Sequence, residues 1–119
     1  MEANELGKVG ETIAAEKLVK DGYKILHRNY RFLKAEVDIV AEKDGLIIFV
    51  EVKTRVSSYL SDPSLLVPVS KQKQIIKAAD DYIKTFYPER ESRFDIMIVI
   101  TNKQYTFVDH IVDAFYPMV

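Results

Sequence analysis

The chain contains no cysteine. Disulfides, thiolate zinc sites and cysteine nucleophiles are therefore excluded together. Histidine is nearly as scarce: His27 and His110 stand alone, too far apart in sequence to suggest a histidine-rich metal site. Any metal must be held mainly by oxygen ligands, which favours Mg²⁺ or Mn²⁺. Long apolar stretches are missing too. The run Leu46–Val50 spans five residues, far short of the roughly 20 needed to cross a bilayer. The opening MEANELGKVGE lacks both the apolar core and the cationic lead-in of a secretory signal. These absences point to a cytoplasmic protein with no membrane partner. Nor does one sign of charge dominate: the net charge is −1, which speaks against broad, salt-driven binding to nucleic acid.

What is present fits a folded domain. With 119 residues, 48% of them hydrophobic and 29% charged, residues 1–119 can form a single domain with its own core. Leu6, Val9, Ile13, Ala14 and Leu18 recur at helical spacing from about Glu5 to Lys20, where Asp21-Gly22 stops them. Tyr23–Tyr30 alternates in part and reads as a strand, as do Glu36–Glu42 and Leu46–Thr54. Asp44-Gly45 between the last two is a strong hairpin signal, because both turn positions require positive φ. Val56–Val69 carries Pro63, Pro68 and several serines and reads as a mobile loop. Ser70 is placed to cap a helix to about Phe86, which Pro88 ends. Phe94–Thr101 reads as a buried strand and Tyr105–Val112 as a last one. The order helix, three strands, helix, strand, strand predicts an α/β layered domain.

The hairpin carries a geometric consequence. With Asp44-Gly45 as a two-residue turn, Lys43 faces Leu46, Asp38 faces Glu51 and Glu36 faces Lys53. Opposed residues on one face have Cβ atoms roughly 4.5–5.5 Å apart. Alternation puts Glu36 and Asp38 on that face with Phe49, Glu51 and Lys53 beside them. Two carboxylates about 5 Å apart repel by roughly 3 kcal/mol at an effective dielectric near 20. A cation or a shared proton between them removes the penalty. Mg²⁺ suits such a pair, since it takes one or two carboxylates and leaves positions for water and phosphate oxygens. Lys53 can then orient the attacking water or stabilise charge on phosphate. The competing reading is a set of surface charges, with Glu36–Lys53 as an exposed ion pair worth under about 1 kcal/mol.

Other positions join this set. Glu11 shares a helical face with Ala14, Ala15 and Leu18, where a carboxylate needs a partner or an outlet to water. A further ligand role and a rim position both remain open. Gly7 and Gly10 weaken the same helix, and close approach to a ligand would explain them. Lys71 opposes the helix dipole in a first turn; a phosphate partner or simple exposure would account for it. From Lys53 to Lys77 the chain holds Lys53, Arg55, Lys71, Lys73 and Lys77 against one acid, Asp62. That stretch could hold a few phosphates or be an ordinary solvated face. His27, His110, Tyr23, Tyr30 and Tyr82 read as packing, and Tyr59 is the one loop residue placed for base stacking.

Taken together, Gly10-Glu11, Ala35-Glu36-Val37-Asp38-Ile39-Val40, Phe49-Val50-Glu51-Val52-Lys53-Thr54-Arg55, Val69-Ser70-Lys71-Gln72 and Arg93-Phe94-Asp95-Ile96 resemble the YraN-type predicted endonucleases of bacteria. That family is similar to the PD-(D/E)xK nucleases of the restriction-endonuclease-like fold, archaeal Holliday-junction resolvases among them. One departure is visible: Ala35 stands where the family usually has Gly. The resemblance implies a three-layer α/β domain with a mixed sheet between helices. It implies a catalytic set of Glu11, Asp38, Glu51 and Lys53, with Asp38, Glu51 and Glu11 as metal ligands. Arg55, Lys71 and Lys73 are the matching candidates for nucleic-acid contact. The expected activity is Mg²⁺- or Mn²⁺-dependent cleavage of DNA, with cleavage of branched DNA by a homodimer as the form the resolvase likeness suggests. The alternative is a nucleic-acid-binding module on the same fold that does not cut.

Overall fold

The structure, a computed structural model, describes residues 2–57 and 67–117. Most of the expected 56–69 loop, with Tyr59, lies outside the described residues. Helix α1 spans Ala3–Lys20 and buries Gly10, Ala14, Ala15 and Leu18. Small residues dominate this stripe, so the helix lies close on the sheet. Val9, expected in the stripe, is exposed instead. Gly22, at φ 91°, turns the chain into the sheet.

Strands β1 (Lys24–Phe32), β2 (Ala35–Lys43) and β3 (Leu46–Arg55) follow as a meander. The β2–β3 turn takes the expected form, with Asp44 at φ 51° and Gly45 at φ 82°. The β1–β2 turn rests on Leu33 at φ 55°, a residue type that sends no turn signal. Helix α2 covers Val69–Phe86. It begins two residues earlier than a cap at Ser70 implies, and Ser70 does not cap it. Pro68 occupies the capping position instead, accepting from the Gln72 N–H at 2.9 Å. Strands β4 (Ser92–Thr101) and β5 (Thr106–Phe115) complete the chain.

The five strands form one sheet in sequence order, with β3 and β4 parallel and all other neighbours antiparallel. The parallel step follows from the crossover through α2. Each helix covers one face. Phe49, Ile75, Ala79, Tyr82, Phe94 and Ile96 belong to the core on the α2 side. Ala14, Leu18, Ile39, Ile48, Val50 and Met97 belong to the core on the α1 side. Among the described residues, no helix is long and apolar enough to cross a membrane.

Two irregularities position the site. The β2–β3 ladder keeps the register set by the turn from Lys43–Leu46 to Ile39–Val50, and there it stops. β3 continues beside β4 as far as Arg55–Ile100. Beyond Val50, then, β3 has a neighbour on one side only. Near the same point the side chains of β2 change sides. Val37 and Val40, three residues apart, both pack on the α2 side, which a regular strand forbids. Across from Asp38, Asn29 of β1 adopts φ 54°, a left-handed conformation that Asn tolerates better than most residues. The expected Glu36–Lys53 opposition is therefore not formed. Glu36 pairs with Arg31 at 3.2 Å instead.

Candidate metal centre

Where β2 and β3 separate, a carboxylate takes the place of a backbone. The Val52 N–H, which would have bonded to β2 had the ladder continued, donates to Asp38 Oδ2 at 2.8 Å. Glu51 projects from β3 toward α2 and is 4% exposed. Its Oε1 accepts from Lys71 Nζ at 3.1 Å. This contact supplies the partner for Lys71 that its place in the first turn demands. Glu51 Oε2 is buried and has no hydrogen-bond partner among the described residues. A buried carboxylate oxygen left in that state is costly.

The electrostatics match the geometry. Burial first, then the charge and hydrogen-bonding reach of Glu51, push the Asp38 carboxyl well above the ordinary carboxylate range. Burial also lowers the Lys53 ammonium, with the nearby Lys71 adding to that effect and Glu51 opposing it. Lys71 moves the other way: burial would lower it, but Glu51 outweighs the burial and holds it above its usual value. Two carboxylates and two lysines thus converge where α2 begins over the end of β2. A hollow of about 420 Å³ opens there, lined by Asp38, Lys71, Ser70 and Gln74 among others.

Glu11 occupies a neighbouring position rather than the same one. Its Oε1 accepts from Asn29 Nδ2 at 2.8 Å, and the same amide nitrogen donates to Glu36 Oε1 at 3.1 Å. Burial raises the Glu11 carboxyl, the Asn29 contact lowers it, and the Asp38 charge raises it again, for a net upward shift. Among the described residues, no three acidic or imidazole side chains are gathered closely enough to hold a metal. Gly10 has a different purpose from the ligand approach expected of it. A Cβ there would meet the Thr54 hydroxyl and lie 2.7 Å from its Cγ2, so the glycine lets α1 rest on β3. Gly7 has open space around it.

The cations of the 53–77 stretch separate in space. Lys53 and Lys71 face Glu51. Arg55 is exposed and donates to the Thr54 carbonyl at 2.8 Å. Lys73 lies elsewhere, over an apolar groove with Ile76, Phe115 and Tyr116.

Two groups escaped the residue-level reading. Asn29 bridges Glu11 and Glu36; an Asn within a run that otherwise reads as strand was its signal. Asp95 is fully buried on β4. It accepts from Arg93 Nε at 2.9 Å and Nη2 at 2.7 Å, and from the Asp113 N–H at 3.0 Å. His110 Nε2 lies 2.7 Å from it. Burial pushes the Asp95 carboxyl up, but these partners outweigh it and hold it below the ordinary value. Arg93 Nη2 also donates to the Tyr23 hydroxyl at 2.8 Å, so the network ties β4 and β5 to the end of α1. A lone Asp in the apolar run Phe94–Ile100 was the available clue.

A mixed five-stranded sheet between two helices, with acidic and basic side chains meeting where its strands part, defines a three-layer restriction-endonuclease-like domain. The chain belongs to the Uncharacterised protein family UPF0102, the YraN family, whose sequence model matches residues 10–99. It is 44% identical to a UPF0102 protein of Flavobacterium johnsoniae, with 97% of each chain covered. It is 45% identical to one of Bacteroides thetaiotaomicron, covering 98% of this chain and 96% of the relative. A third, from Chlorobium phaeobacteroides, is 44% identical over 92% of both chains.

Proposed function

We propose that the protein is a metal-dependent endonuclease that hydrolyses DNA phosphodiester bonds. The observation that carries this reading is the pairing of half-buried Asp38 with buried Glu51, one Glu51 oxygen lacking a partner beside two lysines. The donor set fits a hard divalent cation: two carboxylates, no sulfur and no imidazole. Asp38 and Glu51 would hold Mg²⁺ or Mn²⁺, which when bound supplies positive charge to a phosphate oxygen and acidifies water.

The other residues act through position. The Val52 N–H fixes Asp38, and Lys71 fixes Glu51. Lys53, its proton affinity lowered by burial, is suited to exchanging a proton with the attacking water or to stabilising charge on the phosphate. Glu11, held by Asn29, borders the site as a further ligand or water-orienting group. Paired cuts across a branched junction would require two such sites, and therefore a homodimer.

A second reading, a nucleic-acid-binding module that does not cut, draws support from the net charge of −1 and from the lack of a three-carboxylate cluster among the described residues. One assay separates the two. Linear, single-stranded and four-way-junction DNA are incubated with the protein and Mg²⁺ or Mn²⁺, with Lys53→Ala as control. The nuclease reading expects metal-dependent products that the control lacks. Intact substrates in every lane would favour the binding module.

A further inference from the structure

A second polar cleft, of about 730 Å³, lies between the N-terminal half of α1 and strand β1. Lys8 of α1 and Arg28 and Arg31 of β1 line it, with Glu11, Asn29 and Glu36 beside them. It shares Glu36 with the hollow that contains Asp38 and Lys71. The two depressions therefore adjoin and lead from the β1–β2 hairpin to the carboxylate pair.

Asn29 makes the cationic side of this cleft possible. Residues three apart in a regular strand point to opposite faces of the sheet. Because Asn29 is left-handed, Arg28 and Arg31 instead come to the same cleft. Arg28 reaches Thr12 of α1 at 3.4 Å, and Arg31 reaches Glu36 at 3.2 Å while its side chain stays 79% exposed. Glu11 and Glu36 are already engaged by the Asn29 amide. The guanidinium groups keep donors free toward solvent, and their planar fork matches phosphate oxygens.

We infer that a nucleic-acid strand crosses the β1–β2 hairpin, its phosphates held by Lys8, Arg28 and Arg31 on the way to Asp38 and Glu51. The direction of this path rests on the nuclease reading of that pair. It moves the main contact surface away from the outer face of α2, where Lys73 and Lys77 border an apolar groove.

The test is binding of labelled single-stranded and duplex oligonucleotides to the full chain in chelator, over a series of salt concentrations. Arg28→Gln/Arg31→Gln is compared with Lys73→Gln/Lys77→Gln, which removes equal charge elsewhere. The first double variant should reduce the slope of log affinity against log salt by about 1.4–1.8, the second hardly at all. Lys8→Gln repeats the measurement at a side chain with no hydrogen bond or ion pair among the described residues, and should reduce the slope by about 0.7–0.9. An unchanged slope for the arginine pair and for Lys8→Gln, or a larger loss for the α2 pair, overturns the path but leaves the nuclease reading intact. A wild-type chain that binds no oligonucleotide overturns both.

Discussion

Asp38 and Glu51 reach the same place by different means. Glu51 follows directly on the apolar run of β3 and is carried inward by it. Asp38 sits where β2 changes sides, and its carboxylate holds the backbone of the opposite strand. Without a cation the pair favours a shared proton, since burial and mutual repulsion raise Asp38. The sign follows from the raised value. The stabilisation is complete below the ordinary carboxylate range and is lost as pH rises through the elevated one. Asp38→Asn keeps an oxygen for the Val52 N–H and removes the charge. It should stabilise the metal-free protein by about 0.5–2 kcal/mol at pH 8, with the gain shrinking toward acid pH. Chemical denaturation across that range measures it. A variant less stable than wild type at pH 8 would contradict the repulsion argument.

At the scale of elements, the hairpin register was legible because Asp44-Gly45 permits few alternatives. Every observed β2–β3 pair obeys it. What two-residue periodicity could not foresee was where the ladder ends. That depends on Asn29 leaving strand geometry on β1 at the point where the side chains of β2 change sides. Glu36 was misplaced for this reason. The start of α2 slipped by two residues because Pro68, not Ser70, stands at the capping position, where its carbonyl accepts from the Gln72 N–H. The Arg93–Asp95–His110 network was closed to sequence reading for another reason: its members meet only after β5 folds back on β4.

Gly10 offers a test of the contact that places α1. Alanine there would improve helix propensity by about 1 kcal/mol. The clash with Thr54 should outweigh this, as overpacking costs about 1–3 kcal/mol. Gly10→Ala is therefore expected to lower the melting temperature, and adding Thr54→Ala should recover part of the loss. Additive effects in the double variant would show that the two positions do not touch.

For the whole molecule, the proposed reading has divalent ions and protons compete for one pair of carboxylates. Thermal stabilisation by Mn²⁺ should be slight at pH 5.5 and grow toward pH 8, as the raised Asp38 proton is displaced more easily. At about 100 times the dissociation constant, the gain approaches 2.7 kcal/mol. Glu51→Gln should abolish most of it. A Mn²⁺ shift that is independent of pH, or one that survives this substitution, would place the ion elsewhere.

The separation of β2 from β3 also gives the molecule a built-in reporter. Inside a ladder, an amide proton is shielded by a carbonyl whose charge never changes. The Val52 amide is shielded by the Asp38 carboxylate instead, whose charge depends on what it has bound. Its resonance position and its exchange with solvent should therefore move together with proton or cation occupancy. The amides of Ile48 and Val50, still inside the intact ladder, should stay put. One backbone nitrogen, followed by nuclear magnetic resonance during a metal titration, could thus reveal the state of the centre without any substrate.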